Sequence, residues 1–203
     1  MRTTRFAALS VSALFALTAC GGGDDSGSAA SSPSVSAEAS AGAHNAQDVS
    51  FAQGMIPHHQ QAIEMAELAD GRAASAQVKD LAARVEKAQG PEISTMTGWL
   101  KAWDEKVPES MPGMDHSGMD NSGMTGMTGM MDSADMGKLK KASGKEFDSM
   151  FLTMMVEHHE GAVEMANTEK AKGEYKAATA MAGDIVTAQN AEISEMKKLL
   201  GES

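Results

Sequence analysis

From residue 45 to residue 200 the large apolar side chains recur at intervals of three and four, the period of helices packed along one face. In the first such stretch Phe51, Met55, His58, His59, Ala62, Met65 and Ala66 share one side of a wheel turned about 100° per residue, with Ile63 at its margin. In the second, Val85, Gln89, Glu92, Ile93 and Met96 form a matching stripe with a carboxylate among apolar residues. The pattern predicts helices near 45–69, 75–104, 143–171 and 175–200, all rich in Ala, Glu, Lys, Met and Leu. Asn45 with Asp48, and Ser143 with Glu146, have the spacing of capping boxes at two helix starts. Gly71 and Gly173 fall where turns belong. Pro57 and Pro91 are expected to kink or restart their helices, while Glu157 and Ala191 leave the later copies straight.

The pattern is doubled. Laid without a gap on 151–200, residues 51–100 are identical at 16 of 50 positions, including Met55/Met155, His58/His158, His59/His159, Met65/Met165, Gln89/Gln189 and Glu92/Glu192. Two copies of one helical hairpin, 45–104 and 143–203, predict an all-α, ferritin-like four-helix bundle joined by a long crossover, 105–142. That crossover has no helical or strand period. Its stretch 111–136 nevertheless holds eight of the chain's 18 methionines among Gly, Ser and Asp.

Ahead of the bundle, residues 1–20 carry Arg2 and Arg5, then a short apolar run and small residues, and so read as an export signal. Leu17-Thr18-Ala19-Cys20 resembles a bacterial lipobox, which implies lipid on Cys20 and a chain anchored to the outer face of the cell membrane, or periplasmic in a two-membrane envelope. Residues 21–44 read as a Gly/Ser/Ala-rich tether. Cys20 is the only cysteine, so soft-metal chemistry in the mature chain would use thioethers. Without Arg2 and Arg5, 15 basic residues stand against 28 acidic ones. This balance speaks against nucleic acid and favours cationic ligands.

The candidate chemistry lies in two segments, MIPHHQQAIEMA (55–66) and MVEHHEGAVEMA (155–166), which hold four of the six histidines. Both imidazoles of each pair point inward, with thioethers beside them and alanines leaving room. Glu92 and Glu192, on the complementary stripe, are placed to take a histidine N–H behind a metal. Glu64 and Glu164 fall on the opposite side and are expected to be solvated. Di-iron bundles use Glu-x-x-His on their inner face; here Met55-x-x-His58 and Met155-x-x-His158 put sulfur where the carboxylate would be. Imidazole with thioether suits Cu(I), and Ag(I), better than iron or manganese.

The crossover offers a second set, Met111, Met114, His116 and Met119, which resembles the Met/His runs of copper-resistance proteins. Other readings of these features are hydrogen-bonded core histidines, gap-filling methionines, an oxidant-scavenging tract and a plain linker.

The paired HH segments resemble the domain-of-unknown-function 305 family over about residues 45–200. That resemblance implies an exported ferritin-like bundle and, as in some members, copper binding through His58, His59, Met55 and Met65 with their repeat partners His158, His159, Met155 and Met165. The expected function is Cu(I) sequestration or transfer, with the Met-rich arm as a capture device and a metal-delivery protein as a further partner. No catalytic constellation is found, so an enzyme is not expected. A ferritin-like oxidase and a structural or oxidant-absorbing bundle are the competing classes. Binding is expected to weaken as pH falls through the imidazole range.

Overall fold

The computed structural model describes residues 42–109 and 128–202. Within them the chain forms helices α1 (Ala46–Glu67), α2 (Ala69–Arg72), α3 (Ala76–Ala102), α4 (Ser133–Lys141), α5 (Gly144–Lys172) and α6 (Lys176–Leu200). The protein is all-helical. Among the described residues the only β-type pairing is an isolated bridge between Ala73 and Gly144. The proposed signal peptide, Cys20 and the capture residues Met111, Met114, His116 and Met119 lie outside the described residues.

The core divides into two clusters that reveal how the hairpins meet. One joins the later part of α1 (Ala62, Met65, Ala66) to the earlier part of α5 (Phe147, Phe151, Leu152, Met155). The other joins the earlier part of α1 (Phe51, Ala52, Met55, Ile56) to the later part of α5 (Ala162, Ala166). The central helices therefore run antiparallel, and His58 and His158 fall between the clusters. Alanines at 62, 66, 162 and 166, all at most 4% exposed, let the two helices approach closely.

A reciprocal clasp fixes this arrangement. Asp148, in the second turn of α5, accepts from the N–H groups of Ala74 (3.0 Å) and Ser75 (2.9 Å), in the turn of the first hairpin. Its repeat partner Asp48, in the first turn of α1, accepts from Glu174 (3.1 Å) and Tyr175 (3.0 Å), in the turn of the second. Each hairpin thus supplies the acceptor for two turn N–H groups just ahead of the other's second long helix. At the end of the expected tether, His44 stacks on Trp103 with ring centroids 4.4 Å apart.

Three expectations need correction. Pro57 and Pro91 restart nothing, since α1 and α3 run through them. Pro91 is exposed and Pro57 half-buried, and each removes one donor from a long helix whose inner face remains packed, so the local loss is absorbed. The crossover also contains a helix. In α4, Asp132 caps the Asp135 N–H at 2.8 Å, and Met136 and Leu139, one turn apart, enter the first core cluster. Finally, the Asn45/Asp48 box closes in both directions, whereas Ser143 occupies the cap position of α5 without a side-chain bond. Gly144 follows it at φ +63°, a left-handed bend that turns the Ser143 hydroxyl out of line with the helix.

Candidate metal centre

Helix periodicity carries all four paired histidines inward, and each is at most 1% exposed. Within each pair the two rings do different things, because adjacent residues on a helix point about 100° apart. His59 reaches α3, where its Nε2 lies 2.6 Å from Glu92 Oε2; His159 reaches α6, where its Nε2 lies 2.7 Å from Glu192 Oε2. These bonds orient the rings and leave each Nδ1 buried without a partner. The glutamate side chains are 26% and 19% exposed, so the carboxylates keep some contact with water.

His58 and His158 instead face each other across the α1–α5 contact. Their ring centroids are 3.8 Å apart with the planes inclined at 45°. Neither Nδ1 nor Nε2 of either ring has a hydrogen-bond partner. Burial, followed by the neighbouring His59, pushes the His58 pKa down to about 3, with the Thr128 main chain opposing the shift and His159 adding to it. Burial and the other three histidines hold His158 well below its ordinary value. Both rings are therefore neutral at physiological pH, with their nitrogen lone pairs available. The pH window in which His58 stays unprotonated extends below the ordinary imidazole range.

The methionines surround the pair rather than gather on one side of it. Met55 lies in the second core cluster, with Met165 half-buried against it, while Met65 and Met155 lie in the first. Among the described residues no three side chains drawn from His, Cys, Asp and Glu are grouped as a metal cage.

Glu164 is exposed and Glu64 pairs with Lys140 at 2.7 Å. Both lie away from the histidines, as their wheel positions imply.

Several features around the centre have no local sequence signal. The chain returning from the crossover docks beside the histidines: a Cβ on Gly161 would run into the Thr128 carbonyl, and Gly129, at φ +81°, packs on Gly161 and the carbonyls of Glu157 and His158. Gln61 holds this segment through both ends of its amide, donating to Met131 O and accepting from Met131 N–H, each at 2.8 Å. Gln89 and Gln189 are buried at repeat-related positions, each with an unpartnered Oε1; their place on the inner stripe is the signal that marks them.

Comparison with known proteins follows this geometry. Residues 48–200 match the family model described as Domain of unknown function (DUF305). A solved DUF305 protein from Streptomyces coelicolor is 35% identical, with 77% of this chain and 93% of that one covered and a TM-score of 0.67. CopM in its Cu(II)-bound form is 36% identical, covering 76% and 95% with a TM-score of 0.62. In its Cu(I)-bound form the corresponding values are 32%, 75%, 94% and 0.60. No curated protein matches. No helix among the described residues is long and apolar enough to cross a membrane.

Proposed function

The chain belongs to the DUF305 family, and from that premise we propose that it is an exported, lipid-anchored copper-binding protein that sequesters Cu(I) or hands it on. The observation that carries this reading is the His58–His158 pair: two buried rings from opposite repeats, in contact, with all their nitrogens unpartnered. A buried polar atom left unsatisfied costs about 1–3 kcal/mol, and a metal ion relieves that cost directly. Structural histidines are ordinarily hydrogen-bonded, as His59 and His159 are on one side of their rings.

In this proposal His58 and His158 supply nitrogen to the ion, and sulfur is drawn from Met55, Met65, Met155 and Met165 in the core clusters on either side. His59 and His159 offer Nδ1, with Glu92 and Glu192 fixing their tautomers from behind. Met111, Met114, His116 and Met119 act as capture ligands, and Cys20 carries the lipid. CopM is described as Cu(I)-, Cu(II)- and Ag-bound, which supports copper as the cargo. Neutral imidazole with thioether favours the monovalent state.

Titration of the purified protein with Cu(I) against a competing chelator tests the reading. Affinity tighter than micromolar is expected, with a large loss when His58, His59, His158 and His159 are all replaced by Ala. Micromolar or weaker binding, or an unchanged affinity in that variant, would remove the proposal.

A further inference from the structure

The two flanks of the α1–α5 pair are alike in sequence and unlike in space. Glu64-Met65 on α1 repeats as Glu164-Met165 on α5. On the first flank α4 lies across the helices: Met136 and Leu139 share the cluster that contains Met65, and Met65 is 0% exposed. Lys140 adds an ion pair to Glu64 at 2.7 Å. The carboxylate is therefore engaged and the sulfur sealed.

On the second flank Glu164 is exposed and Met165 is only half-buried. Both line a depression of about 160 Å³ together with Gln47, Ser50, Phe51, Thr128 and Thr168. Met165 packs on the cluster holding Phe51 and Met55, and Met55 stands one helical turn before His58. Thr128 borders the depression, and Gly129 beside it packs on the His158 carbonyl.

We propose that this depression is the port through which Cu(I) reaches the buried pair, with Glu164 drawing the cation in and Met165 as its first sulfur, while the Glu64 flank stays closed. The inference rests on the copper reading above and adds the route. A cation crossing bare apolar packing would lose its hydration without replacement. Here a carboxylate, hydroxyls and an amide stand at the mouth, so water is exchanged in steps. The hard carboxylate holds a soft ion weakly and yields it to the thioether. From Met165 the same cluster offers Met55, and then the imidazole of His58.

The test mixes full-length protein with Cu(I) kept soluble by acetonitrile and traps unbound ion with a chromophoric chelator at timed intervals, alongside an equilibrium titration of the same variants. Glu164→Gln is expected to slow loading about tenfold, on the scale of electrostatic steering, and to slow release equally, leaving the equilibrium affinity within about twofold of wild type. Met165→Leu is expected to slow loading as well. Glu64→Gln is expected to load at the wild-type rate.

Wild-type loading in Glu164→Gln, or equal slowing in Glu64→Gln, would overturn the port while leaving the copper reading intact. Absence of Cu(I) uptake by the wild-type protein in the equilibrium arm would overturn both.

Discussion

His58 and His158 bring two neutral imidazoles to a centroid separation of 3.8 Å at the middle of the bundle. Nothing in the surrounding protein satisfies their nitrogens. Orphaned polar atoms of this kind cost about 1–3 kcal/mol, and on the proposed reading a metal ion offsets that cost.

Replacing a ring with an apolar side chain separates these two consequences. His158→Leu is expected to leave the metal-free protein at least as stable as wild type, because the substitution removes orphaned polar atoms worth about 1–3 kcal/mol. It should also abolish the rise in Tm that Cu(I) produces, a rise equivalent to about 2.7 kcal/mol at one hundred times Kd. Calorimetry with and without Cu(I) reads both. A loss of several kcal/mol in the metal-free variant, with the copper-dependent rise intact, would mark the pair as structural.

On the proposed reading, the glutamates behind His59 and His159 act by orienting the rings. Glu92→Gln and Glu192→Gln are each expected to weaken Cu(I) binding about tenfold or more, in the range seen when carboxylates behind metal-bound histidines are changed. Because both side chains are partly exposed, the expected change in folding stability is below about 1 kcal/mol. Chelator competition paired with urea unfolding distinguishes the two effects.

The clasp predicts a stability defect far from the metal centre. Asp148→Ala removes the acceptor for two backbone N–H groups of the first hairpin's turn. It should cost about 1–3 kcal/mol, the range for backbone hydrogen bonds to a charged acceptor. Asp148→Asn, which keeps one oxygen, should cost less. Thermal unfolding of the metal-free protein measures both, and Cu(I) affinity should stay within about twofold of wild type.

The pH dependence of stability should carry the mark of one buried carboxyl. Glu169 is 0% exposed and neither of its oxygens meets an N–H or O–H donor. Burial, then the proximity of Asp48, pushes its pKa up to about 8, with Gln47 pulling weakly the other way. For Asp48 burial acts upward too, but the Glu169 side chain and the N–H groups of Asn45, Tyr175 and Glu174 outweigh it, so that Asp48 keeps its charge and Glu169 its proton.

The folded state then binds a proton that the unfolded chain releases near its ordinary value of 4.5. The stability from this proton is fully present below the unfolded value and is lost as pH rises to about 8. Glu169→Gln, able to donate to Asp48 at any pH, should flatten the decline. Urea midpoints of the metal-free protein measured across this window check the sign. A stability that rises over the same interval in wild type, with no change in the variant, would contradict it.

Much of this arrangement is legible in the sequence because it is periodic and repeated. The three-and-four spacing places Met55, His58, His59 and Met65 on the buried face, and the constant register of 51–100 on 151–200 carries the same placement to α5. Glu92 and Glu192 stand out as carboxylates on apolar stripes, and the structure joins them to His59 and His159.

What is not legible depends on contacts between distant segments. That His58 meets His158, while His59 turns to Glu92, follows from the antiparallel crossing of α1 and α5. The wheel of either helix alone does not contain it. Helix α4 has only Met136 and Leu139 to signal its inner face, too little period to separate it from the Met- and Gly-rich chain before it. The clasp by Asp48 and Asp148 joins residues 127 and 73 positions apart, and an aspartate near a helix start reads locally as a favourable charge for its own helix. Pro57 and Pro91 show the converse case, where the local signal for a restart is overruled by the packed inner face of a long helix.

Copper K-edge X-ray absorption on protein loaded with one equivalent of Cu(I) tests the central claim most directly. The account predicts a first shell containing both imidazole nitrogen and thioether sulfur, with the imidazole scattering lost in the His58→Leu/His158→Leu double variant. A shell of sulfur alone in the wild-type protein, unchanged in that variant, would place the ion away from the paired rings and contradict the account.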